Sequence, residues 1–272
     1  MKTSPTGFQV TFLVFALTFG AMLLTTVVAE RIRLPKEHFN TLGNVISFPI
    51  ELAFVFAIPA LRRLALEGLR PSLVASDRVE AATIVVVKLL VTFGVWGAVA
   101  LWGLHVTQRS PELGTYGFLT DRTLIDQRYF TTWGLIGVAL AVSIGPIAEE
   151  ILFRGVLYRL WERQWGWVAG VVLSSTVFSL VHPNNLIQSF LSAVLYACLY
   201  RRTGSLRASI LCHFLYNVAV TWPLLGHVLQ VKPIEAATSI GPWIPNLICL
   251  ALGSIAFIAY VALAARKPAT PH

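Results

Sequence analysis

The sequence predicts an all-α, polytopic membrane protein, a helical bundle with about eight transmembrane helices. Of the 272 residues, 56% are hydrophobic and only 12% are Asp, Glu, Lys or Arg, whereas about one-quarter of a soluble domain is charged. Six long stretches carry no charged residue: 3–29, 89–108, 131–148, 164–200, 208–231 and 236–265. Because a membrane-spanning helix needs about 20 mostly apolar residues, this pattern excludes a soluble domain, a disordered chain and a disulfide scaffold.

The first predicted span, 8–29, resembles a secretory signal in its position near the amino terminus. It is 22 residues long, however, and the apolar part of a signal peptide has about 7–15 residues. We therefore expect a retained span. The seven spans that follow are predicted at roughly 41–60, 81–104, 131–157, 165–182, 186–200, 208–226 and 243–265.

Two of the first three spans contain a charged residue, Glu51 in the second and Lys88 in the third. A charge within the bilayer is costly unless it is paired or faces a polar cavity. Two interpretations therefore stay open: a pair between neighbouring helices, or the wall of a polar cavity.

Basic residues are distributed unequally between the two sides of the predicted spans. With a cytoplasmic amino terminus, twelve Lys and Arg residues lie on the cytoplasmic side and seven on the other side. Cytoplasmic loops are enriched in Lys and Arg, so we expect both termini to be cytoplasmic, in a bacterial inner membrane. This topology accounts for the net charge of +8, and without a compact basic block we expect no nucleic-acid partner.

The chain divides into three predicted regions. Residues 1–130 hold three spans and the one substantial polar connection, at 105–130; residues 131–226 hold the spans that carry the polar motifs; residues 227–272 hold the last span and a short tail. Membrane lipid is the partner that every region shares.

The first polar motif is AEEILFRG, at 148–155. On a helix, Glu150 and Arg154 are four residues apart and share a face, while Glu149 points about 100° away. Arg154 can therefore neutralise Glu150, which leaves Glu149 without a local partner. A buried ion pair that only fixes helix packing is the simpler explanation, but it does not account for the second carboxylate.

Two further motifs follow on later spans, FSLVHP at 178–183 and HFLYN at 213–217. Phe178 and His182 share a helix face, and the proline after His182 ends the helix there. His213 and Asn217 also share a face and can both donate hydrogen bonds. Each motif alone is more often a cap or an interhelical contact.

Together, the three motifs supply a general base, its partner and hydrogen-bond donors for an oxyanion, which fits hydrolysis of an amide. A catalytic zinc held by Glu149, His182 and His213, with water as the fourth ligand, is the alternative chemistry. The familiar HExxH zinc motif is absent from the sequence.

The ordered motifs EEILFR, FSLVH and HFLYN resemble the EExxxR, FxxxH and HxxxN motifs of the CPBP family, the CAAX-protease and bacteriocin-processing intramembrane proteases related to Rce1-type endopeptidases. The resemblance covers about 130–226. It implies that Glu149 and His182 activate the attacking water, and that His213 and Asn217 stabilise the oxyanion. By the same analogy Glu150, Arg154 and Phe178 are supporting residues.

The resemblance also implies the reaction, which is endoproteolysis of a membrane-anchored or lipidated substrate. On the favoured interpretation the enzyme needs no cofactor, and zinc is the alternative. A non-catalytic scaffold for bacteriocin immunity or membrane maturation is a second candidate function. A transporter is less favoured, because no internal repeat is visible.

One expectation concerns depth in the membrane. Counted along ideal helices from the basic ends of the spans, His182 lies deeper than Glu149 and Asn217, although the three should converge. We expect the stretch 161–167 to lie along the membrane interface, so that its span begins later.

Overall fold

A computed structural model describes residues 6–35, 38–107, 132–221 and 243–266, and these residues form helices with no β-strand among them. The all-α fold is therefore confirmed. The helices in the described ranges are α1 (Gly7–Arg31), α2 (Phe39–Ala57), α3 (Pro59–Leu69), α4 (Ala75–Thr107), α5 (Thr132–Val142), α6 (Ile144–Glu150), a π-helix (Ile151–Tyr158), α7 (Arg159–Leu180), a 3₁₀-helix (Pro183–Asn185), α8 (Leu186–Thr203), α9 (Leu206–Thr221) and α10 (Ile244–Ala265). Most of the predicted polar connection 105–130, the end of the span 208–226 and the stretch 227–242 lie outside the described residues.

Several of these helices can cross a membrane. Four segments are long and apolar enough, Gly7–Arg31, Ala75–Val99, Thr132–Leu180 and Ile244–Ala265, and α2 with α3 adds a fifth if that pair, bent by 103°, counts as one span. Large apolar side chains cover their outer surfaces; Phe12, for example, is 74% exposed. The chain is therefore an integral membrane protein, since such surfaces are stable in lipid and not in water.

The predicted count of eight spans is not confirmed. Each predicted span falls on a helix of the described structure, but α8 and α9 do not meet the same length and hydropathy criteria. The orientation of the termini stays a prediction.

The chain reverses direction inside α7, at Gly166. This residue has φ +83° and ψ 171°, a conformation that essentially only glycine adopts. The helix before it and the helix after it then pack side by side. A Cβ added at Gly170 would lie 3.0 Å from the carbonyl oxygen of Tyr158, and the rings of Phe153 and Phe178 are 5.0 Å apart. On one straight helix those two phenylalanines would be separated by about 37 Å.

This reversal explains how Glu149 and His182 reach the same depth. Glu149 precedes Gly166 by 17 residues and His182 follows it by 16, so two antiparallel helices of equal rise bring them level. The helix that leads to His182 begins after Gly166, so its span begins later, as expected, and the interfacial position of 161–167 stays a prediction. The helix continues through Trp161, which is 2% exposed and buried under Phe8 with a centroid distance of 4.6 Å.

Helix α8 lies at the centre of the bundle. Residues 193–200 are all buried, on every side of the helix. Its neighbours include the π-helix, α4, α7, α9 and α10. A helix that is buried all round belongs to the interior of a bundle, so side chains from α8 can form the floor of a site built by its neighbours.

Close backbone contact joins α10 to α4. A Cβ on Gly94 would lie 2.3 Å from the Cα of Leu250, and a Cβ on Gly253 would lie 2.8 Å from the backbone nitrogen of Val91. Asn246 donates from Nδ2 to the carbonyl oxygen of Phe93 at 2.8 Å. Small residues and an interhelical hydrogen bond are the usual means of helix association in membranes.

The reversal at Gly166 gives the first prediction. A side chain at this position meets no atom within 4 Å, so Gly166→Ala adds backbone strain without a steric clash. We expect a loss of about 1–3 kcal/mol in the free energy of unfolding, measured by denaturant titration in detergent micelles. Gly20→Ala is the matched control, since Gly20 has equal space but lies within α1; equal stability of the two variants would contradict the strained reversal.

Candidate active site

Three of the predicted site residues meet at one point, although they come from different helices. Glu149 lies at the end of α6, His182 directly after α7 and His213 on α9. His182 Nε2 is 3.9 Å from Glu149 Oε1, and His213 Nε2 is 3.8 Å from Glu149 Oε2. Two imidazole rings therefore face the two oxygens of one carboxylate.

Behind this group lies a buried charged pair. Arg154 donates from one terminal nitrogen to Glu150 Oε1 at 2.9 Å and from the other to the carbonyl oxygen of Ala193 at 3.1 Å. The side chains of Glu150 and Arg154 are 0% and 1% exposed. Glu150 Oε1 also contacts His213 Nδ1 at 2.9 Å, so the pair holds one of the site histidines.

The hydrogen-bond partners of the two histidines determine which ring nitrogen carries the hydrogen and which has a lone pair. A carbonyl oxygen can only accept, so His182 donates from Nδ1 to the carbonyl oxygen of Phe178 at 2.8 Å. Likewise, the ionised Glu150 accepts from His213 Nδ1. In the neutral form of both rings, Nε2 is therefore an acceptor that points at Glu149.

Each of the two imidazole rings stacks on an aromatic ring, which limits its rotation. Phe178 stacks on His182 with a centroid distance of 4.5 Å, and Tyr196 stacks on His213 at 4.6 Å; the interplanar angle is 25° in both pairs. The guanidinium carbon of Arg154 lies 4.8 Å from the Phe178 ring centre and 5.1 Å from that of Tyr196. One buried cation thus contacts both stacking rings.

The eight residues after Glu150 form a π-helix, whereas the sequence predicts an α-helix there. All eight, from Ile151 to Tyr158, are buried. π-helical segments occur often at functional sites. The wider turn does not separate Glu150 from Arg154, and the predicted pairing on one face is found in the structure.

Asn217 lies one turn after His213 on α9, but it forms no hydrogen bond with Glu149, His182 or His213. It donates from Nδ2 to the carbonyl oxygen of Ala141 at 2.8 Å. Ala141 is near the end of α5, directly before the break at Ser143. The amide therefore ties α9 to the segment that leads into Glu149, and its second N–H remains for another acceptor.

The two charged residues of the first spans approach this site without pairing with each other. Glu51, on α2, interacts electrostatically with Glu149, and its Oε2 is buried with no hydrogen-bond partner. Lys88, on α4, is 4% exposed and donates to the Tyr196 hydroxyl. Neither has an ion-pair partner among the described residues, so the interhelical pair is not found there, and the cavity-wall interpretation stays a prediction. Their charge within apolar spans was the signal in the sequence, whereas nothing there pointed to Tyr196.

Glu149, His182 and His213 offer the donor atoms that a zinc ion takes, and each histidine has the outer hydrogen bond typical of a metal ligand. Even so, the part of the chain that the structure describes has no group of three His, Cys, Asp or Glu side chains placed to hold a metal ion. The donor chemistry fits zinc, but the spacing of these side chains does not form a ligand set.

Comparison with known proteins adds the family. Residues 131–219 match the family model of type II CAAX prenyl endopeptidase Rce1-like proteins. We refer to this segment as the Rce1-like domain because of this match. It contains all seven residues that the sequence motifs assign to the site.

Two curated bacterial proteins are similar to part of the chain. The first, "Putative membrane peptidase YdiL" of Bacillus subtilis (strain 168), is 31% identical over 101 residues, or 36% of this chain and 38% of that protein. The second, "UPF0177 protein YbdI" of Lactococcus lactis subsp. lactis (strain IL1403), is 30% identical over 105 residues, or 37% of this chain and 53% of that protein. The chain thus spans about two-fifths to half the length of these relatives. No solved structure matches it.

The buried pair gives the second prediction. Arg154→Met leaves Glu150 buried without its counter-charge, and we expect a loss of about 3–5 kcal/mol in the free energy of unfolding. Arg63→Met is the matched control, since Arg63 also faces a glutamate four residues away, Glu67, but is 81% exposed. That variant should lose at most about 1 kcal/mol. Equal losses in denaturant titrations of the two variants would contradict a specific role for the buried pair.

Proposed function

We propose that this protein is an intramembrane endopeptidase that hydrolyses a peptide bond of a membrane-associated substrate, with a water activated by Glu149 and His182. The observation that carries this proposal is the pair of imidazole Nε2 atoms facing the two oxygens of Glu149, at 3.9 and 3.8 Å. At these distances the three side chains do not bond directly, and a water between them can donate one hydrogen to Glu149 and the other to His182 Nε2.

The first chemical step is attack by this water. Glu149 takes one proton from it, and the oxygen forms a bond to the scissile carbonyl carbon, which becomes tetrahedral and negatively charged at oxygen. The proton then passes to the peptide nitrogen as the C–N bond breaks. His182, held by its Nδ1 bond to Phe178, orients the water throughout.

The negative oxygen of the intermediate needs hydrogen-bond donors. Asn217 offers the second hydrogen of its Nδ2. His213 can donate from Nε2 only when its ring is protonated, because Nδ1 already holds the other hydrogen against Glu150. We therefore propose that His213 takes up a proton from solvent at Nε2 before the attack and returns it after product release, stabilised as an imidazolium by the two carboxylates that it contacts.

Access to water supports Glu149 as the base. A carboxylate enclosed in hydrocarbon would become protonated and lose its basicity. The Glu149 side chain is 15% exposed and that of His182 is 36% exposed, whereas Glu150 is fully buried. The two adjacent glutamates are thus suited to different roles, one at the reacting water and one in the supporting pair.

Zinc chemistry is the alternative within the same site. If zinc binds, Glu149, His182 and His213 would hold it, and it would supply a metal-activated water. We favour the metal-free mechanism because His213 and Asn217 are better suited to donate hydrogen bonds to the oxyanion than to bind a metal.

An apolar groove beside the site is suited to binding an apolar part of the substrate. A cavity of about 620 Å³ lies between α4, α8 and α10 and extends to Pro183, the residue after His182. Val95, Val99, Trp102, Leu186, Ile187 and Leu250 contribute apolar side chains to its wall. We propose that it accepts a lipid chain or an apolar segment of the substrate, next to the peptide that is cut.

The third prediction concerns Glu149. Glu149→Gln keeps the shape of the side chain but removes the base, so cleavage should fall to background while membrane insertion and thermal stability stay unchanged. The assay uses purified protein and a fluorogenic peptide with a farnesylated cysteine. A second assay detects substrates of other sequence. It compares the newly formed amino termini of proteins in membranes that contain wild type with those in membranes that contain E149Q.

Two outcomes would overturn parts of this proposal. Equal cleavage by E149Q and wild type would overturn the role of Glu149 as the base, and no cleavage by wild type in either assay would favour a non-catalytic scaffold. Loss of wild-type activity with a chelator, restored by added zinc, would replace the metal-free mechanism with the zinc alternative.

The fourth prediction concerns the groove. Ala98 is part of its wall, and Ala98→Phe places a ring in the space proposed for the lipid. KM for the farnesylated peptide should rise roughly tenfold, whereas kinetics with the same peptide lacking farnesyl should not change. A uniform change with both peptides would exclude the groove as a lipid site.

A further inference from the structure

Lys88 is a buried charged residue that the proposed mechanism does not use. It lies on α4, outside the Rce1-like domain at 131–219, and is 4% exposed. No carboxylate of the described residues lies within salt-bridge distance of its Nζ. A single ammonium group in an apolar span is costly, so its contacts must stabilise it in another way.

Tyrosines from two other helices surround this ammonium group. Nζ donates a hydrogen bond to the hydroxyl of Tyr196 on α8. It also lies 3.3 Å from the ring centre of Tyr216 on α9 and 4.3 Å from that of Tyr196. A cation over an aromatic face is attracted by the electrons of the ring.

The Tyr216 ring is itself held in place. Its hydroxyl is 3.0 Å from Thr92 Oγ1 on α4 and accepts from Gln188 Nε2 on α8 at 2.8 Å. The ring therefore forms a fixed surface on one side of Lys88, and this limits the directions in which Nζ can point.

On its other side, Lys88 is connected to the active-site residue His213 through Tyr196. The Tyr196 ring, whose hydroxyl Lys88 holds, stacks on His213 at 4.6 Å and 25°. His213 in turn faces Glu149 and Glu150. Lys88 and the reacting carboxylate are thus connected by Tyr196 and His213, with no direct contact between Lys88 and Glu149.

We propose that Lys88 is a positioning residue for His213. By holding the Tyr196 hydroxyl, it fixes the ring on which His213 stacks, and so the direction of His213 Nε2 toward Glu149. The catalytic consequence rests on the proposed peptidase function, whereas the effect on the His213 ring does not. The N-terminal helices would then complete the geometry of a site whose reacting groups all lie in the Rce1-like domain.

Two other roles for Lys88 make different predictions. If it only fills space, its removal changes stability but not His213. If its charge acts directly on the glutamates, removal of the Tyr196 hydroxyl has no effect on catalysis as long as the ammonium remains.

The test compares Lys88→Met, Tyr196→Phe and the double variant, in full-length protein in lipid nanodiscs. The first observable is the imidazole nitrogen chemical shifts of ¹⁵N-histidine-labelled protein; the chain has 6 histidines, and His213→Gln identifies the signal. We expect the His213 signal to shift or broaden in K88M and Y196F, with no further change in the double variant. Val86→Met, on the exposed side of α4, is the control that should leave it unchanged.

The second observable is cleavage of the farnesylated fluorogenic peptide. We expect K88M and Y196F each to lower kcat roughly 10- to 100-fold at unchanged KM. The kcat of the double variant should be no lower than that of the less active single variant, because both substitutions break the same contact. If K88M does not fold, Y196F removes the same hydrogen bond with the ammonium retained and decides the question.

The outcomes separate this proposal from the proposed function. An unchanged His213 signal in K88M and Y196F overturns the positioning role, whatever the peptidase assay gives. A lowered kcat in K88M with an unchanged kcat in Y196F overturns it in favour of a direct charge effect. Multiplied losses of kcat in the double variant also overturn it, because the two residues then act independently. A shifted His213 signal in a protein that cleaves nothing supports the positioning role and refutes the peptidase function.

Discussion

The site depends on one buried charged pair, Glu150 with Arg154. In an interior of low dielectric, two such charges are stable only when their geometry is good and their remaining hydrogen-bonding groups find partners. Some of those partners come from other helices: Ala193 of α8 accepts from Arg154, and His213 of α9 binds the same oxygen of Glu150. Glu150 Oε2 and Arg154 Nε have no hydrogen-bond partner in the described structure. Because both charges need these contacts, the π-helix, α8 and α9 are held in one arrangement, and His213 takes its direction from it.

Glu149 is more exposed than Glu150 because it lies one residue earlier on the helix. Successive residues on a helix point in different directions, so Glu150 enters the bundle while its neighbour faces the two histidines. The reversal at Gly166 then brings His182 level with Glu149, and Asn217 holds the carbonyl of Ala141 just before it. Two antiparallel segments of matched length make the site converge.

The helices before the Rce1-like domain are part of the site's surroundings. Glu51 of α2 lies near Glu149, and Lys88 of α4 contacts the tyrosine behind His213. The apolar groove also has one wall on α4 and another on α10, both outside the matched segment. Sequence similarity marks the reacting groups, whereas the walls that hold or admit a substrate come from the rest of the chain.

The sequence by itself determined the all-α class, the positions of the helices and the pairing of Glu150 with Arg154, because hydrophobic runs and four-residue spacing are local properties of a helix. It also identified Glu51 and Lys88, since a charge in an apolar run stands out without any structure. It could not place Tyr196 against His213, assign the hydrogen on each imidazole or find the fold-back at Gly166. Those features were decided by tertiary structure alone, because they depend on contacts between helices distant in sequence and on a backbone conformation that many glycines permit and few adopt.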